Sequence, residues 1–141
     1  SWDEKEKGLE NIWKAWGGIA GVQMPLTVML SEGVNKRDLP LTDIARMMCA
    51  NPARLYGFSA KKGSIKAGLD ADFAVVDLDE EWTLTPEMLF NKNKFSAFTG
   101  YSYKGRVKQT WVRGKLVYQD GKIVAQPGYG QLVKREERYA F

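Results

Sequence analysis

The apolar positions of this chain change their period near Gly63. Before it, Leu26, Val28, Met29, Leu30 and Val34 suit a helix buried along one side between Met24 and Val34, with Pro25 in its first turn and Gly33 near its end. Leu39-Pro40-Leu41-Thr42-Asp43 follows. Thr42 or a neighbour can cap a second helix running to Cys49 or Ala50, in which Ile44, Met47 and Met48 recur at helical spacing. Asn51-Pro52 reads as a break and a new start, with Asn51 as N-cap and Pro52 at the first position of a short helix that ends at Gly57.

After Gly63 the pattern shortens to that of strands. Phe73-Ala74-Val75-Val76 is a run of strand formers bounded by Asp72 and Asp77. A second candidate spans Val107 to Arg113, and Gly114 permits a turn into Lys115-Leu116-Val117-Tyr118. Asp120-Gly121 is a strong hairpin signal before Lys122-Ile123-Val124. At the other end, Ser1 to Glu10 is charged with little period and reads as a loop. Asn11 to Trp16 leads into Gly17-Gly18-Ile19-Ala20-Gly21, a glycine-rich loop where the backbone needs unusual dihedrals or a close approach. The expectation is an α/β chain: helices first, then a small β unit of two or three strands, which is marginal without a partner face. The helices are too few to surround a parallel sheet, so the chain reads as the last part of a larger protein.

Composition narrows the possible chemistry. A chain of 141 residues with 44% hydrophobic residues suits one globular domain, and no apolar run approaches a membrane span or a signal peptide. A soluble, cytoplasmic protein is the expectation. The lone Cys49 excludes an internal disulfide and reads as a buried small hydrophobe. The net charge of +4 is scattered, with Lys134-Arg135 followed at once by Glu136-Glu137, so a solvated surface is expected and nucleic-acid binding is not. Most telling, there is no histidine. A zinc-like site built on imidazole nitrogen cannot be made from this chain.

Three segments carry a family resemblance: Asn51 to Gly57, Gly63-Ser64-Ile65-Lys66-Ala67-Gly68-Leu69-Asp70-Ala71-Asp72, and Val107 to Tyr118 with Thr110, Val112, Gly114, Val117 and Tyr118. Together they resemble the C-terminal third of the cyclic amidohydrolases, which include allantoinase, dihydropyrimidinase and dihydroorotase. Within that family, Asn11 to Gln23 looks most like the allantoinase branch, since dihydropyrimidinase-like proteins tend to carry Asn-Gly in place of Gly17-Gly18. The stretch Lys94 to Gly100 departs from the Ser-Pro-Tyr-x-Gly expected of allantoinases, with Ala97 and Phe98 replacing Pro and Tyr, while Gly100 is kept.

The resemblance implies a TIM-type barrel holding two divalent metal ions, zinc by expectation, bridged by a carbamylated lysine, followed by a β-sandwich built from both chain ends. Residues 1–60 would be the end of the barrel, 61–125 the C-terminal part of the sandwich with an intervening loop or helix, and 126–141 a tail that packs outward and joins subunits or is solvated. In such enzymes metal-activated water attacks a ring amide carbon. For allantoinase, the hydantoin ring of allantoin opens to allantoate.

None of the metal ligands or catalytic residues is expected here. Asp3 does not match the Ser-Asp-His-Ser-Pro ligand motif and reads as a solvated carboxylate. What remains is substrate contact: Gly17 and Gly18, whose backbone groups suit the donor and acceptor edge of a cyclic amide, and Trp16 beside them. A packing turn and a core tryptophan are the structural alternatives. Asp70 and Asp72 read as turn carboxylates bonding backbone N–H groups, and Arg54 as a packing or ion-pair residue.

The expected partners are therefore allantoin or a similar cyclic ureide, the missing N-terminal barrel half and further copies of the chain, with no nucleic acid and no membrane. The segment alone is expected to be inactive. A non-catalytic amidohydrolase-like interaction module is the alternative, and a dihydropyrimidinase or hydantoinase is the second alternative.

Overall fold

A computed structural model describes residues 2–135, leaving the last six positions of the tail outside the described residues. Its first element is a helix. The charged segment expected to be a loop forms α1, Trp2–Glu10, with Asp3 and Glu4 in the first turn and Lys7 in the last. That charge order complements the helix dipole, and Glu and Lys are good helix formers, so an apolar stripe is not needed to set the conformation. Asn11 then caps a 3-10 turn, Ile12–Lys14, its side chain accepting a bond from the Trp13 N–H.

The next helix follows the sequence reading closely. It begins as α2, Pro25–Val28, with Pro25 in the first turn, and continues as a π-helical stretch, Met29–Asn35. Asp38 adopts a positive φ of 53° beyond it, and the Leu39 N–H returns to the Gly33 carbonyl at 3.1 Å.

Asn51-Pro52 does not break the following helix. α3, Leu41–Ala45, passes through a π-helical turn, Arg46–Ala50, into α4, Asn51–Leu55, and Asn51 itself is helical with φ −65° and ψ −47°. The widened turn ahead of Pro52 accommodates a residue that lacks an N–H and whose ring would crowd a preceding carbonyl. Gly57 ends the run at φ 73°, as the sequence indicates. Cys49, expected inside, is exposed on this helix.

The β unit has four strands rather than two or three: β1, Phe73–Thr83; β2, Ser102–Val112; β3, Lys115–Gln119; and β4, Lys122–Ile123, antiparallel in the order β1-β2-β3-β4. β1 runs well beyond Val76 because the pairing shifts between Asp77 and Glu81. There the Asp77 carboxylate accepts the N–H groups of Asp79 and Glu80, which absorbs the irregularity. Both hairpin turns place consecutive residues at positive φ, Arg113-Gly114 and Asp120-Gly121, the twist that suits tight connections between antiparallel strands.

Helix and sheet meet through small and polar groups as well as apolar ones. Gly105 of β2 lies against Leu30, the Ser31 hydroxyl accepts the Lys104 N–H at 3.2 Å, and Asn35 Nδ2 lies 3.1 to 3.2 Å from the carbonyls of Leu30, Leu78 and Lys104. Beside this seam Met24, Leu84, Leu89 and Tyr103 form the buried core, with Val28, Trp82 and Phe98 packed on it.

The Gly63 to Asp77 segment joins the two halves. Lys62 bridges Asp70 at 2.7 Å and also Asp72. Asp72 in turn accepts the Arg113 N–H at 2.8 Å, which ties the entry of β1 to the β2–β3 turn. The backbone bond expected of Asp72 is present, and Lys62 is the shared cation that sequence reasoning missed.

Candidate substrate-contact loop

Residues Ala15 to Met24 cross from the helical N-terminus to α2 without regular structure, and their position is set by side chains from two distant segments and by the loop's own Gln23. Lys5 on α1 donates to the carbonyls of Trp16 at 2.7 Å and Gly18 at 2.5 Å. Ser96, 3% exposed, donates its hydroxyl to the Ala20 carbonyl at 2.7 Å. Gln23 donates to the Met88 carbonyl at 2.9 Å and accepts the Phe90 N–H at 3.0 Å. The loop is thus fixed at its start, middle and end.

Within that frame the structure places Trp16, Gly17 and Gly18 together on the exposed side of the loop. Gly18 has φ 85°, which a side chain would strain. Gly17 differs: its φ is outside the left-handed region and a Cβ there would meet nothing within 4 Å. No packing or dihedral demand inside the described residues therefore calls for glycine at position 17. Trp16 and Trp13, which composition would place in a core, are 66% and 92% exposed.

Two cavities lie near this region. One, of about 320 Å³, is bounded by Ile19 to Met24 and by Leu89 to Asn91, directly beside the glycine loop. The other, about 570 Å³, opens between α2 and one face of the sheet, and its lining includes Met24, Thr27, Trp82, Val107 and Tyr118. Neither is lined by Gly17 or Gly18, which sit outside both.

The charged groups are structural. Burial opposes ionisation of Asp72, but hydrogen bonds from Lys62 and from the Arg113 N–H outweigh it and hold the carboxyl below its usual range. For Lys62, burial likewise disfavours the charge, and the two carboxylates overcome it and raise its pKa. Hydrogen bonds from Lys108 and Arg106 hold Glu80 low, and Arg106 also lies over the Trp82 ring at 5.0 Å. Asp3 is exposed in the first turn of α1, a helical rather than a loop carboxylate. Arg54 is exposed, and among the described residues it forms no ion pair. The described part of the tail is held on the sheet: the Tyr129 hydroxyl donates to the Val112 carbonyl at 2.9 Å, and Arg113 lies over its ring.

The described residues do not assemble the donors of a metal centre. The chain has no histidine, and no group of three or more potential acidic or sulfur ligands comes together among the described residues. No helix among them is long and apolar enough to cross a membrane.

Lys5, Ser96 and Gln23 were not singled out by sequence reasoning. Lys5 and Ser96 act on the loop over separations of 11 to 76 residues, and neither pair carries a local pattern.

The chain is 36% identical over 133 residues to the L-hydantoinase of Paenarthrobacter aurescens, covering 94% of this chain and 29% of that one. It is 43% identical over 125 residues to an allantoinase of Desulfitobacterium hafniense, covering 89% and 27%. The solved structure of the L-hydantoinase (dihydropyrimidinase) from Arthrobacter aurescens superposes with a TM-score of 0.90 at 36% identity, over 95% of this chain and 30% of that one. The chain thus spans under a third of the length of these relatives. The described helices and sheet are shared with the hydantoinase, and the amidohydrolase family model matches residues 16–117, from the glycine loop through the β2–β3 hairpin, so this chain belongs to the amidohydrolase family.

Proposed function

We propose that this chain is the C-terminal portion of an allantoinase-like hydrolase, and that its part in the reaction is to read the substrate ring with the glycine loop. The observation that carries the reading is Gly17: an exposed glycine on a side-chain-anchored loop, with no internal reason to be glycine. A cyclic ureide presents N–H and C=O groups side by side, and a bare peptide can meet both while a side chain would hold the ring away. Gly18 supports the turn, and Trp16 offers an apolar border to the same space.

The described residues do not fit a metal, so no step of the chemistry is assigned to them. In this reading the divalent metal ions and the proton-transferring carboxylate belong to the remainder of the enzyme, and the segment alone is inactive. Residues 1–60 close a barrel, residues 61–125 are the C-terminal part of a sandwich built from both ends of the full-length protein, and 126–141 form a tail. Supporting this division, Leu9, Ile12, Trp13, Val22 and Ile65 are between 73% and 98% exposed, more apolar surface than a self-sufficient domain leaves open. Cytoplasmic location and homo-oligomeric assembly are part of the same proposal.

Ring opening of allantoin, hydantoin and dihydrouracil by the full-length, metal-replete protein tests it, followed as base consumption at constant pH. The expected order of kcat/KM puts allantoin first. A clear preference for dihydrouracil or hydantoin moves the assignment to the neighbouring branch, and no hydrolysis of any of the three refutes it.

A further inference from the structure

The two carbonyls that Lys5 holds lie two residues apart, on either side of the peptide that joins Gly17 to Gly18. In a trans peptide the C=O and N–H of one unit point in opposite directions. Drawing the Trp16 carbonyl toward α1 therefore turns the Gly17 N–H away from it, and drawing in the Gly18 carbonyl does the same for the Ile19 N–H. Both bonds come from one ammonium, so the two peptides are oriented as a pair. A charged donor on a carbonyl also polarises that peptide and strengthens its N–H as a donor.

Lys5 is itself well placed. α1 approaches the loop so closely that a Cβ on Gly8 would fall 2.4 Å from the Ala15 Cβ, and Lys5 sits one turn before Gly8. The contact at Gly8 fixes the distance between helix and loop, and the lysine stem spans it. Ser96 anchors the same loop farther on, at Ala20, but touches neither peptide.

We propose that Lys5 is a positioning residue for substrate binding, which aims the N–H groups of Gly17 and Ile19 as a paired donor toward the carbonyl oxygens of a cyclic ureide. This rests on the reading that the glycine loop contacts substrate. Lys5 does not touch the reacting atoms. Its effect is on how well the loop binds the ring, in ground state and transition state alike.

The test is steady-state kinetics of the full-length, metal-replete enzyme on allantoin, with Lys5→Met, Lys5→Gln and Lys5→Arg. Losing an oriented hydrogen-bond pair from binding raises KM with little change in kcat, so Lys5→Met is expected to raise KM about tenfold and leave kcat within about threefold. Lys5→Arg, which keeps charge and donors, restores KM to within about threefold. Lys5→Gln, with one amide to donate, falls between them and carries the test if Lys5→Met does not fold. A folded Met or Gln variant with wild-type KM overturns the role of Lys5 while leaving the proposed function standing. A fall in kcat alone, or failure of arginine to rescue a folded enzyme, also overturns it. A wild-type enzyme that opens no cyclic ureide removes both.

Discussion

A Cβ placed on Gly105 would lie 2.9 Å from the Cβ of Leu30, so the central strand and the helix above it touch backbone against side chain. Gly105 also has φ 99°, outside the range comfortable for any other residue, and its carbonyl accepts the Trp82 indole N–H at 3.1 Å. Gly105→Ala meets both the dihedral strain and the overlap. It is expected to destabilise the protein by about 2–4 kcal/mol, read from the denaturant midpoint. Leu30→Ala in the same background should not recover this loss, because alanine keeps the Cβ that the new methyl meets and adds a cavity where Leu30 is 1% exposed.

Asn35 tests the same seam from its polar side. Its amide nitrogen faces three carbonyls, so removing it leaves carbonyls without a donor, and Asn35→Ala should cost about 1–2 kcal/mol. Asn35→Asp is nearly isosteric but turns a donor into an anion facing three acceptors. It should be the more damaging of the two at neutral pH, and the gap should narrow in acid as the carboxyl protonates. Urea melts of both variants at two pH values check this order.

The clasp between Asp72, Lys62 and Arg113 predicts a pH signature. Asp72 has its folded pKa lowered, so its contribution is present above the ordinary carboxylate range, about 4, and is lost as pH falls through the lower folded value. Lys62 has its folded pKa raised, so its share is complete below about 10.4 and is lost as pH rises through the higher folded value. Asp72→Asn is expected to cost about 1–3 kcal/mol at pH 7. The difference from wild type should shrink toward zero in strong acid, measured as unfolding free energy against pH.

How much of this was legible in the sequence depended on whether the cause was local. Pro25, Gly57 and Asp120-Gly121 act on their own backbone, and each marks an element end or turn in the structure. α1 was missed because propensity and charge order set it rather than an apolar stripe. The passage through Asn51-Pro52 was misread because a π-helical turn absorbs what would interrupt an ordinary helix. Exposure of Cys49, Trp13 and Trp16 departs from their usual burial, since a side chain's surroundings are not written in its own neighbourhood. At the candidate site, the glycine cluster stands out in the sequence, and it is the family resemblance that points Gly17 and Gly18 to substrate contact. Lys5 and Ser96 do not stand out, because each meets the loop only after the chain has folded back.

Gly18 and Gly17 separate backbone need from ligand need. Gly18→Ala strains a φ of 85° and should cost about 1 kcal/mol or more of stability whatever the loop binds, seen as a lower Tm of the full-length protein.

Gly17→Ala in the full-length, metal-replete enzyme is the most direct test of the glycine loop as the substrate-reading part of a cyclic amide hydrolase. A methyl group there meets nothing inside the described structure, so Tm should stay within about 2 °C of wild type, while KM for allantoin rises about tenfold as the ring is held off the loop. An unchanged KM in a folded, active Gly17→Ala enzyme would contradict the account.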